Sequence, residues 1–135
     1  MKTDKLQLGD WVTFHDEGWA SDGEHWKTDR TCRVTEIGGY YVDVEWYDED
    51  GFHEVEQNVF DERIEPITLT SSILKKNGFE KDGDRGIKIT HNMWWELGEI
   101  WAYQDDVGIA LYPCLYVHDL QHALNTSGVK KDIEL

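Results

Sequence analysis

The sequence predicts an α+β chain in two parts. Residues 1–67 read as a small closed antiparallel β-barrel, and residues 68–135 as a small α+β unit with an antiparallel sheet and a C-terminal helix. Three observations carry this. Five short β-rich stretches, each bounded by turn residues, crowd into about the first 60 positions. Tyr116, Val117, Leu120, Ala123 and Leu124 recur at spacings of three and four, the stripe of an amphipathic helix. The charge also changes near Pro66: residues 1–66 hold 18 acids and 6 bases, and residues 67–135 hold 10 and 7.

The elements follow in order. Leu6-Gln-Leu-Gly-Asp10 is a turn that opens a strand over Trp11–Phe14, with Val12 and Phe14 on one face. Residues 15–29 read as a long polar loop carrying Trp19 and Trp26. Arg30 to Ile37 forms a second strand, and Gly38-Gly39 a tight hairpin turn. Tyr40 to Tyr47 alternates most clearly, with Val42, Val44 and Trp46 against Asp43, Glu45 and Tyr47. After the Asp48–Gly51 turn, Phe52 to Phe60 returns as a strand, and Arg63 to Ile67 closes the barrel. In the second part, Thr70 is placed to cap a short helix over 71–77 that stops at Gly78. Ile87 to His91 and Trp94 to Tyr103 read as strands, followed by a turn at 105–108 and a strand over Ile109 to Tyr112. Pro113 suits the first turn of a helix over 114–127. Residues 129–135 read as a tail able to add an edge strand.

Composition excludes several classes. With 28 acids against 13 bases the net charge is −15, which argues against direct nucleic-acid binding and against anionic membranes. No apolar run reaches the roughly 20 residues of a membrane helix, and the polar N-terminus lacks a signal-peptide core. Cys32 and Cys114 are not closely spaced, so neither a disulfide framework nor a zinc cluster is expected, and a reducing cytoplasm is the expected location. No phosphate-cradling loop or nucleophile triad stands out, and no cofactor is expected.

Two resemblances add to this. Leu6, Gly9, Asp10 and Val12, followed by Arg33-Val-Thr-Glu-Ile37, resemble an SH3-like barrel of the KOW or Tudor sort, which implies a fold and leaves function open. Ile73–Phe79, Tyr116–Leu124 and Gly128–Ile133 are similar to the C-terminal half of small proteins without an assigned activity from Bacteroides-type bacteria and their phages. Asn125-Thr-Ser127 departs from that pattern. The resemblance implies a phage or mobile-element setting.

Three constellations are candidates for function. His118 and His122 lie one helical turn apart and can share a metal, as in a metal-dependent hydrolase; Asp119 stands where a metalloprotease needs the longer Glu. The plainer reading is a polar helix face. Trp19, Trp26, Trp46 and Tyr47 can line an aromatic cleft for a cation, a basic peptide or a flat ligand; alternatively the first two are lids on the core. Glu45, Asp48 and Glu54 belong to an acidic hairpin suited to a basic partner, or simply to solubility. The first expectation is a non-enzymatic protein of phage or mobile-element origin that docks this acidic, aromatic surface on a host protein, with a counter-defence role as an extrapolation. Sequestration of a nucleotide-like molecule is the alternative; it requires Lys75, Lys76, Lys81, Arg85 or Lys88 beside the aromatic cleft. A homodimer through an exposed edge near 131–135 is a further expectation.

Overall fold

The computed structural model describes all residues from Met1 to Leu135. The chain is mostly β, with 47% strand and 16% helix, so its two antiparallel sheets dominate a nominal α+β plan. It divides into two compact units, Met1–Ile67 and Thr68–Leu135. No helix is long and apolar enough to cross a membrane.

The first unit is a five-stranded antiparallel sheet built from β1 (Trp11–Trp19), β2 (His25–Ile37), β3 (Tyr41–Tyr47), β4 (His53–Phe60) and β5 (Ile64–Pro66), in the order β4-β3-β2-β1-β5. The opening turn is fastened by Asp10, whose carboxylate accepts from the Gln7 amide at 2.8 Å. The Gly9 amide donates to the Val34 carbonyl at 2.8 Å, joining that turn to β2. Gly9 has φ +87°, a conformation that glycine adopts without a steric penalty. Val12, Phe14, Cys32, Val34, Val42, Val44, Val59 and Ile64 form the core with Leu6. Trp46 packs on its margin.

Two expectations for this unit are corrected. The barrel is not closed: β4 and β5 are opposite edges of the sheet, each paired on one side only. The three-residue β5 is taken up by β1, and β4 buries only Val59, so little apolar surface draws the two edges together. The polar loop expected over 15–29 is instead the long β1–β2 hairpin, with register running from Trp11↔Arg33 to Trp19↔His25. Alternation continues through its polar residues, where hydropathy alone gives no strand signal. The turn is set at Asp22-Gly23, where the Asp22 side chain accepts from the Glu24 amide at 3.0 Å.

The second unit holds a four-stranded sheet of β6 (Ile87–Thr90), β7 (Met93–Glu96), β8 (Glu99–Gln104) and β9 (Val107–Pro113) in sequential order, with α1 (Ser71–Lys76) and α2 (Val117–Thr126). Thr70 caps α1, accepting from the Ile73 amide at 3.3 Å. The buried residues of α2 are Val117, His118, Leu120, Ala123 and Leu124. Three corrections apply here. The single strand expected over 94–103 is two strands, because Leu97 and Gly98 both take positive φ and reverse the chain. Pro113 ends β9 instead of opening a helix; α2 starts at Val117, where the Asp119 carboxylate accepts from the Leu115 and Tyr116 amides at 3.1 and 3.0 Å. The tail adds no strand. Ile133 is fully buried, and Asn77 clamps the Glu134 peptide, donating to its carbonyl and accepting from its amide, both at 2.7 Å. The segment 131–135 is therefore anchored at Ile133 and the Glu134 backbone and offers no strand edge.

Candidate functional site

The inner face of the first sheet changes character along its length. Val12 and Phe14 on β1 pair with Cys32 and Arg30 on β2; Asp16 and Gly18 then pair with Thr28 and Trp26. Directly paired residues share a face, so the hydrophobic core gives way to a polar and aromatic layer as the hairpin extends. On the next strands Trp46 pairs with Glu54 and Val44 with Glu56. The result is a cleft of about 530 Å³ lined by Asp16, Glu17, Trp26, Arg30, Trp46, Asp48, Glu54, Val55 and Glu56.

Trp46 and Arg30 in the cleft belong to a cluster of tilted rings and guanidinium groups. The Phe14 and Trp46 rings lie 5.9 Å apart. The Arg30 guanidinium sits 5.0 Å from the Trp46 ring, and Arg63 sits 5.0 Å from the Phe14 ring. Asp16 holds both arginines, accepting from Arg30 Nε at 2.9 Å and standing 3.9 Å from Arg63 Nη2. Arg63 Nε also donates to the His15 carbonyl at 3.2 Å. Trp46 Nε1 is buried without a hydrogen-bond partner. The cleft's only cation is thus committed to Asp16 and Trp46. Glu54 and Glu56 stand exposed on its rim, as does the half-open ring of Trp26. Asp48 turns its carboxylate to the Asp50 and Phe52 amides, at 3.0 and 2.9 Å, which shapes the β3–β4 turn at the cleft edge.

Four of the seven residues expected from the sequence meet here: Trp26, Trp46, Asp48 and Glu54. The other three do not. Glu45 pairs with Val55 and Tyr47 with His53, and both stand on the opposite face of the sheet. There Glu45 bonds His53 at 2.9 Å, and the Tyr47 and His53 rings lie 5.3 Å apart. The carboxylates of the acidic hairpin are therefore split between two faces, Glu54 on one and Glu45 on the other. Trp19 lies on that outer face as well, 74% exposed and packed 4.8 Å from the His25 ring, so it is no lid on the core. Asp16, Arg30 and Glu56 were missed as cleft residues. The signal for the first two was their phase, since each continues an alternation begun by Phe14 or Cys32.

The outer face holds a second recess around His15. Its Nδ1 lies 2.7 Å from Asp29 and its Nε2 3.2 Å from Glu65. Both ring nitrogens face carboxylates, so both act best as donors, and the hydrogen bond to Asp29 leads in raising the His15 pKa above 6.5.

In the second unit, His118 is buried, stacked 5.7 Å from Tyr116 and edge-on to His122 at 5.5 Å. No group of three metal-ligating side chains forms anywhere in the chain. The Asp119 carboxylate is engaged by backbone amides and serves as a helix cap. Of the basic residues that a nucleotide site would need, Lys81 and Lys88 line a pocket of the second unit with Lys131, while Arg85 packs on Trp94 and Tyr103. Cys32 and Cys114 are both free and buried, and burial pushes each thiol up to about 12.

Compared with protein-family models, curated sequences and solved structures, the chain matches none.

Proposed function

We propose that the protein is a binding module without chemistry of its own, and that its first unit docks a lysine- or arginine-bearing segment of a partner protein in the cleft between Trp26, Trp46 and the β4 carboxylates. The observation that carries this reading is the composition of the cleft. Five carboxylates surround two indoles, and the one arginine among them is already paired. A cation entering the cleft meets the exposed Trp26 ring and the Glu54 and Glu56 carboxylates together. A phosphate meets net negative charge, which disfavours the nucleotide reading for this cleft. The first unit's strand order, β4-β3-β2-β1-β5, suits an opened SH3-like sheet, a fold that leaves function open. In a phage or mobile-element setting the partner would be a host protein, and blunting a host defence is the role we assign to such docking.

The test uses a lysine- and arginine-rich peptide as probe, with affinity read by calorimetry and tryptophan fluorescence. Glu54→Lys with Glu56→Lys should weaken binding at least tenfold. The same two reversals at exposed Asp84 and Glu99 of the second unit should have much less effect. Equal losses from both pairs would reduce the binding to non-specific charge attraction and overturn the reading, as would no binding at low salt.

A further inference from the structure

The acidic cleft ends on a free strand edge. β4 pairs with β3 on one side, and no strand pairs with it on the other. His53 to Asn58 are exposed on both faces of the strand, whereas β3 beside it buries Val42 and Val44. The Asp48 amide donates to the Phe52 carbonyl at 2.9 Å, which turns the Phe52 backbone towards β3. Backbone direction alternates along a strand, so the amides and carbonyls of His53 and Val55 point outward from the sheet. Three consecutive β4 residues line the cleft: Glu54, Val55 and Glu56. Consecutive side chains leave a strand on opposite sides, so a wall made of all three includes the strand's own backbone. The open stretch ends at the bulge between Glu56 and Val59, where the Asp43 carboxylate accepts from the Asn58 amide at 2.9 Å.

We infer that the basic segment docks as an added strand, antiparallel to β4, and that this edge selects a basic–apolar–basic run. The inference rests on the proposed reading of the cleft and gives the segment a backbone partner and a side-chain spacing. Directly opposed residues on neighbouring strands share a face. A residue opposite Val55 turns its amide and carbonyl to those of Val55 and sets its side chain beside the 49% exposed Val55 side chain. The residues before and after it then stand opposite Glu56 and Glu54, on the inner face with Trp46. Charge selects the occupant. Sheets guard their free edges with charge, and Glu54 and Glu56 guard this one against acidic strands, a second copy of this chain of net charge −15 included. The same carboxylates favour lysine or arginine at alternate positions of an incoming strand. Main-chain bonds supply affinity in such a contact, and the pockets for alternate side chains supply selectivity.

Calorimetry of the full chain with synthetic peptides tests this. The parent peptide carries a Lys-Val-Lys core. Backbone N-methylation keeps its charge and side chains and removes one amide donor at a time. The valine amide faces β4 in the added strand, and the lysine amides face away. Methylation at the valine should therefore weaken binding at least tenfold, and methylation at the first lysine should have much less effect. Setting the two lysines side by side, as Val-Lys-Lys, should weaken binding several-fold. With the parent peptide bound, the Val55 amide should gain protection against hydrogen exchange. No loss from the valine methylation, equal losses from the two methylations, equal binding of the side-by-side lysines, or protection that bypasses Val55 would each overturn the added strand. If Glu54→Lys with Glu56→Lys still weakens binding in those cases, the cleft reading stands without the strand. Binding that survives the two reversals would remove the cleft reading and this inference with it.

Discussion

Gly18 on β1 stands directly opposite Trp26 on β2, and the indole lies over the glycine so closely that a Cβ at position 18 would meet Trp26 Cζ2 at 2.7 Å. An aromatic ring over a cross-strand glycine fills the gap left by the missing side chain and holds the ring in one place. Gly108 and Tyr103 repeat the device in the second sheet. At Gly18 the device sets one wall of the acidic cleft.

Gly18→Ala should therefore displace the Trp26 ring. The expected signs are a red shift in tryptophan emission and a loss of roughly 1–3 kcal/mol of stability from overpacking. In a Trp26→Ala background the same substitution should cost much less, because the clash is gone. A double-mutant cycle by urea unfolding measures that coupling; additive losses would show that the ring and the glycine do not constrain each other.

Asp16 is only partly exposed and holds Arg30 and Arg63 over the Trp46 and Phe14 rings. Asp16→Ala leaves two guanidinium groups without their shared anion beside the core. A loss of about 1–3 kcal/mol is expected, more than for an exposed pair. Chemical denaturation reads it, with Asp29→Ala as the exposed comparison.

His15 gives a pH dependence of known sign. Its pKa is raised in the folded chain by the Asp29 and Glu65 carboxylates, with the hydrogen bond to Asp29 the largest cause. A raised folded value means that the protonated ring binds its partners better in the native state. The stabilisation is then complete below the unfolded value near 6.5 and fades as pH rises through the higher folded value. An NMR titration of the His15 ring should place its midpoint above 6.5, and Asp29→Asn should move it down. A midpoint unchanged by Asp29→Asn would remove that carboxylate as the cause.

Asn77→Ala should release the C-terminal tail. The side chain meets both polar groups of the Glu134 peptide and also donates to the Ile73 carbonyl at 2.8 Å. Its loss unties the backbone next to the fully buried Ile133. A destabilisation of roughly 2 kcal/mol is expected from the unmade bonds alone. Limited proteolysis should cut near residues 129–132 in the variant before it cuts the native protein there.

Local signals were legible where one residue type does one job. Thr70 as a helix cap, the Val42–Val44 core alternation and the apolar stripe of α2 can all be read from spacing. Other elements were hidden because the relevant partner lies far along the chain. The 15–29 hairpin is polar, so its alternation is one of charge and aromatic residues and not of hydropathy. Pro113 suits both a helix start and a strand end; the β8–β9 ladder and the Asp119 cap decide between them.

The site divides in the same way. The sequence by itself determined the materials: an acidic first half, seven tryptophans, two isolated cysteines and an uncharged run after Val107. Tertiary pairing decided which of these meet. A one-residue difference in strand phase sends a side chain to the other face, so Glu54 joins Trp46 in the cleft while Glu45 turns away to His53. Register depends on which strands are neighbours and where their ladders shift, and composition carries neither. The same physics left the first sheet open, because the edges that would have closed it bury too little apolar surface to be drawn together.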